Sequence, residues 1–122
     1  MAFTINNVGT VWLPFNTEFN VCATIFASWT ETIIISDPNN LTNSAPITGT
    51  GTPMAPIYNQ QTFTTPSSYG NFPGYPVNVT ITNNGGSGGI NYVNVIGLTV
   101  ISYDHMNNNS HNNANVSFIP LT

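Results

Sequence analysis

Wherever the hydrophobic pattern of this chain is legible it repeats every second residue, the period of a β-strand with one buried face. No segment carries the 3.6-residue stripe of a helix, and β-branched and aromatic residues dominate the apolar runs. The clearest case is Val77-Asn78-Val79-Thr80-Ile81-Thr82, with Val77, Val79 and Ile81 facing a core and the polar residues facing out. It runs into Asn83-Asn84-Gly85-Gly86-Ser87-Gly88-Gly89, where an Asn-Gly step and further glycines supply the positive φ of a turn. A hairpin is expected there, its return strand running from Ile90 to Tyr103. Val93, Val95, Leu98, Val100 and Ile101 do not hold one register across Gly97, so a bulge or close backbone approach is expected at that glycine.

The same reading extends over the rest of the chain. Phe19, Val21, Ala23, Ile25 and Ala27 alternate through an apolar run packed on both faces, and Ile33-Ile34-Ile35 leads to a turn at Ser36-Asp37-Pro38-Asn39-Asn40. The stretch from Phe3 to Leu13 is softened by Asn6, Asn7 and Gly9 and reads as an edge strand or a detachable arm. Near the end, Val116 and Phe118 share one face of a strand from Ala114 to Ile119 that Pro120 is expected to stop. Between Ser44 and Pro76 lie Pro46, Pro53, Pro56, Pro66, Pro73 and Pro76, which leave room only for short strands near Ile47 to Thr50 and Ile57 to Thr65. The total is about eight strands in one all-β domain. A single jelly-roll-like antiparallel β-sandwich over residues 1–122 is expected, with 1–14 a candidate donated strand and an immunoglobulin-like sandwich as the alternative.

Charge is where the composition becomes informative. Only 3% of the residues are charged, all of them acids: Glu18, Glu31, Asp37 and Asp104. Without Lys or Arg the chain cannot neutralise phosphates, so partnership with nucleic acid or an anionic lipid surface is not expected. Nor can it form arginine clamps, Schiff bases or phosphoryl-transfer sites. No window approaches the roughly 18 apolar residues of a membrane helix. Met1 to Asn7 lacks a basic region and a continuous apolar run, so no uncleaved secretory signal is expected, and Met1 favours an assembly made inside a cell. The apolar share, 40%, is too high for a disordered chain. Cys22, the lone cysteine, sits between Val21 and Ala23 and reads as a small core residue.

Candidate chemistry is sparse. Asp104, His105 and His111 are zinc-ligand types, yet their spacing matches no familiar site and they flank an Asn-rich loop. Glu18 and Glu31 would serve glycoside hydrolysis only if they met across a cleft. There is no Gly-x-Ser-x-Gly elbow. Asp37, Asn39 and Asn40 offer calcium a single carboxylate, and an Asx-type turn suits them better. No enzyme, metal or cofactor is expected. Asn40, Asn78, Asn108 and Asn115 begin Asn-x-Ser/Thr triplets. With 20 Asn among 17 Thr and 9 Ser, chance alone yields about four such triplets, so they are candidate glycosylation sites without enrichment. The stretch Tyr69-Gly70-Asn71-Phe72-Pro73-Gly74-Tyr75-Pro76 forms a stiff aromatic loop. Its rings Tyr69, Phe72 and Tyr75 would face a subunit interface or a glycan, or else cover one end of the sandwich.

These features together point to a self-assembling structural subunit of an extracellular filament, appendage or virion shell. Few titratable groups leave pH little leverage on stability, no trypsin-type cleavage site exists, and low charge lets identical copies pack closely. In composition, though in no motif, the chain is similar to the Asn/Thr-rich surface and virion proteins of thermoacidophilic archaea. Its partners would be copies of itself, with Phe3, Ile5, Val8, Val11 and Leu13 as a candidate inter-subunit strand. A lectin-like carbohydrate-binding module, with glycans as partners of the Tyr69 to Tyr75 loop, is the alternative.

Overall fold

A computed structural model describes residues 8–26, 30–42, 45–50, 56–83, 92–103 and 112–121. These form nine strands and no helix: β1 (Val8–Leu13), β2 (Glu18–Ile25), β3 (Thr30–Ser36), β4 (Ile47–Thr50), β5 (Ile57–Thr64), β6 (Tyr75–Asn83), β7 (Tyr92–Ile96), β8 (Thr99–Tyr103) and β9 (Asn112–Leu121). One sheet has the order β1-β6-β3-β4 and the other β5-β2-β9-β8-β7, with every pairing antiparallel. The two sheets pack as the expected β-sandwich. Pairings among the first six strands are nested, β3 with β4, β2 with β5 and β1 with β6. That is the pattern of a hairpin rolled across two sheets, the jelly-roll principle. The last three strands form a meander that widens the second sheet beside β2.

Alternation places the core as the sequence implies. Val11 and Leu13 of β1, Phe19, Val21, Ala23 and Ile25 of β2, and Val77, Val79 and Ile81 of β6 are buried, together with Val116 and Phe118 of β9. Asn20, Cys22 and Thr24 line the outer face of β2 instead, half-buried. Cys22 is therefore not the core residue expected: it has the wrong parity, and its Sγ accepts a hydrogen bond from Asn20 Nδ2 at 3.4 Å. Strands β4 and β5 fall between the prolines where they were expected.

Two local expectations fail for physical reasons. Residues 84–91 lie outside the described residues, but the strands on either side are not hairpin partners, since β6 pairs with β1 and β3 while β7 belongs to the other sheet. Gly97 marks no bulge within one strand. It has φ +60°, and with Leu98 it forms a two-residue loop between the paired Ile96 and Thr99, the II′ geometry of a tight hairpin. The chain reverses there, which is why one register cannot cross it. Pro120 also does not end β9, which continues to Leu121. The Phe118 N–H bonds the Leu98 carbonyl, so the same-parity nitrogen of Pro120 faces that side of β9 too, beyond the last β8 rung at Ser117, where no donor is needed.

Candidate functional site

The richest concentration of polar and aromatic groups lies at one end of the sandwich, where β3 and β6 meet their loops. It begins with a turn. Asp37 is followed by Pro38, whose ring presets φ, and the Asn40 N–H donates to the Asp37 carbonyl at 3.3 Å. Asn40 takes φ +55°, a conformation that Asn tolerates better than most residues. The chain thus curls around the Asp37 carboxylate. Oδ1 accepts the Thr42 N–H at 2.8 Å and the Thr42 hydroxyl at 2.6 Å, and Oδ2 accepts the Leu41 N–H at 2.8 Å.

The fourth donor comes from the far side of the sequence. Tyr75, fully buried at the start of β6, donates its hydroxyl to Asp37 Oδ2, and the Tyr75 hydroxyl oxygen in turn accepts the Asn39 N–H at 3.0 Å. Burial acts to raise the Asp37 pKa, but hydrogen bonds from Thr42, Tyr75 and the Leu41 amide outweigh it and hold the carboxyl below its ordinary 3.8. Burial, then the bond to Asp37, pushes the Tyr75 phenol up to about 12. With both oxygens occupied by the protein's own donors, the carboxylate is the hub of a loop. Asp37 does bond the backbone of its own loop, but at Leu41 and Thr42; the Asn39 N–H that an Asx turn would use goes to the Tyr75 hydroxyl oxygen instead.

Above Tyr75 stands a strip of rings. Tyr69 meets Tyr75 edge-on at 5.8 Å, Phe72 stacks on Tyr69 at 5.6 Å, and Trp12 of β1 stacks on Phe72 at 5.5 Å. The loop is shaped for this by Gly70 (φ +51°) within a turn closed by Phe72 N–H to the Tyr69 carbonyl, 3.0 Å, and by Gly74. A Cβ on Gly74 would come within 2.9 Å of the Leu13 carbonyl oxygen. Of the three rings singled out by sequence, Tyr75 is buried, Tyr69 half-buried and Phe72 exposed at 52%. Trp12, exposed at 48%, is the member that sequence reading missed. Its only sequence signal is its outward parity in β1. Phe72 lies between Trp12 and Tyr69, so ring contacts within the strip take up part of the faces that a sugar would use.

Other candidates are scattered. Val8, Val11 and Leu13 lie in β1, paired with β6 of the same chain, and Phe3 and Ile5 lie outside the described residues. The chain leaving β1 is tied down by Thr65, whose Oγ1 donates to the Pro14 carbonyl at 2.7 Å and accepts the Thr17 N–H at 3.0 Å. Asn40 and Asn78 are exposed, the latter accepting the Thr10 hydroxyl at 2.7 Å, while Asn115 is half-buried on the outer face of β9. Asn108, Asp104, His105 and His111 lie outside the described residues. Glu18 is exposed at the start of β2 and Glu31 is buried within β3 of the opposite sheet, so the two do not share a cleft. Among the described residues no cluster of three or more metal-ligand types occurs, and no helix is long and apolar enough to cross a membrane. Comparison with protein-family models, curated proteins and solved structures finds no match for this chain.

Proposed function

We propose that the protein is a structural subunit that assembles with copies of itself into an extracellular polymer, a surface filament or a virion shell. The observation that carries this reading is the neutrality of the sandwich. Among the described residues Glu18 is the one exposed charged side chain, and the four edge strands β1, β4, β5 and β7 contain none. Soluble proteins usually guard open edges with charge, Lys above all, because an open edge is a template for another strand. A neutral surface also carries exposed Trp12, Phe72, Tyr58, Ile96, Ile119 and Leu121, which gain by burial between copies. Donation of segment 1–14 to a neighbour would reuse the β1–β6 pairing. Deleting residues 1–13 without loss of polymers would remove that part of the proposal and leave the rest.

Light scattering over a concentration series tests the main reading. Mass should rise steeply with concentration, and a 13.1 kDa particle throughout would contradict it. The competing proposal, glycan binding, is favoured by the exposed Trp12–Phe72 stack beside neutral amides and hydroxyls. It requires that Trp12→Ala abolish retention on immobilised glycans in a monomeric protein.

A further inference from the structure

The four edges are not equally open. β1 lies against the opposite sheet, where a Cβ on Gly9 would meet Val95 Cγ2 at 2.8 Å and Val100 Cγ1 at 3.0 Å, so β1 and β7 close that side of the sandwich. On the other side β4 is only four residues long, and its Gly49 abuts Ile57 at the start of β5. Beyond Ile57, β5 runs on without cover from β4. Asn59, on the inward-facing row with Ile57 and Phe63, is accordingly exposed.

The direction of the β5 peptide groups follows from one hydrogen bond. The Thr65 N–H donates to the Thr17 carbonyl at 2.9 Å, so position 65 points its backbone groups at the β2 side. In an antiparallel ladder these directions alternate, and residues 57, 59, 61 and 63 share that orientation. Tyr58, Gln60, Thr62 and Thr64 therefore direct N–H and C=O away from β2. The strand holds an unbroken register with β2 from Ile57 to Thr64 and contains no charge and no proline. Among the described residues, β5 itself carries no charge, proline or bulge to protect its edge.

From this geometry we infer that β5 is a homotypic contact, pairing antiparallel with β5 of a second copy about a two-fold axis at Gln61. The inference rests on the self-assembly reading and names its contact. In this register Tyr58 faces Thr64 of the other copy and Gln60 faces Thr62. The four outward N–H groups of each copy then meet the four outward C=O groups of the other, giving about eight hydrogen bonds with none left over. An isologous contact sets similar surfaces against one another, so any charge on it would meet its own kind. β5 carries no charge to repel. Tyr58, exposed at 67%, gains a cross-strand neighbour in Thr64. The sheet β5-β2-β9-β8-β7 would continue through the axis into its copy.

The test is a register-specific cross-link in a Cys22→Ser background. Gln60→Cys protein is mixed with Thr62→Cys protein under mild oxidation. Directly opposed residues lie about 5.5 Å apart at Cα, within disulfide reach, whereas like pairs are diagonal at roughly 7–8 Å or more. The mixed dimer should therefore form in large excess over both like dimers. Gln60→Pro removes an outward N–H without touching the β2 ladder, so it should keep the far-ultraviolet spectrum of the parent and lose the contact. Gln60→Lys, which keeps the N–H and adds a cation to each copy, should weaken the same contact. Like dimers as abundant as mixed ones, or unchanged polymers from folded Gln60→Pro and Gln60→Lys, would overturn the contact and leave self-assembly standing. A parent protein that stays monomeric at every concentration would overturn both.

Discussion

Replacing Tyr75 by Phe removes one oxygen from the interior, and the hydrogen-bond geometry sets what that oxygen is worth. The hydroxyl donates to an ionised carboxylate and accepts the Asn39 N–H. Asn39 is exposed, so water can replace its acceptor, and the main loss is the charge-assisted bond to Asp37. Bonds of that kind contribute about 1.5–3 kcal/mol. For a chain of this length each kcal/mol moves Tm by roughly 3–6 °C, so Tyr75→Phe should melt about 5–18 °C lower at neutral pH. The difference must also depend on pH. Asp37 in the folded protein lies below its ordinary 3.8, so the stability it confers is complete above that value and is lost as pH falls through the folded pKa. The gap between parent and variant should therefore narrow below pH 3.8 as the carboxylate is protonated. Differential scanning calorimetry from pH 2 to 7 reads both effects. A Tm within about 2 °C of the parent at neutral pH, or a gap that does not change with pH, would refute the assignment of Asp37 and Tyr75 as the link between the two loops.

Four further outcomes follow from the same structure. Tyr75 holds its proton more tightly folded than unfolded, so its contribution to stability should be level up to pH 10 and decline between 10 and about 12, as followed by circular dichroism; Tyr75→Phe should lack that part of the decline. Gly97→Ala, where nothing crowds the added methyl group, should lose about 1–2 kcal/mol through its φ of +60° alone, and Gly97→Asn distinctly less, by urea denaturation. Gly74→Ala drives a methyl group into the Leu13 carbonyl and should destabilise by roughly 1–3 kcal/mol in the same assay. Trp12→Ala removes the outer ring of the strip and should cost about 0.5–1.5 kcal/mol beyond its lost burial, with the core strands keeping their amide-exchange protection.

Strand faces were legible in the sequence because parity alone decides them. Val77, Val79 and Ile81 lie inward whichever neighbour β6 acquires. The limits of β4 and β5 were legible because prolines exclude longer strands. Partner choice was not, since a period of two says which side of a strand is buried and nothing about what pairs with it. The stretch after Asn83 therefore looked like a hairpin turn, although β6 and β7 lie in different sheets. At Gly97 the shift of register was visible but its cause was not: a bulge and a two-residue reversal disturb alternation in the same way until φ is known. The candidate site was half legible. Tyr69, Phe72 and Tyr75 stood out as a local cluster, while Trp12 and Asp37 join them only through tertiary contact, Asp37 across 38 residues of chain.

The most direct test of self-assembly is negative-stain electron microscopy of the full chain, paired with light scattering on the same sample. Regular filaments or closed shells with a repeating subunit are the predicted result. A monodisperse 13.1 kDa particle at high concentration would contradict the account.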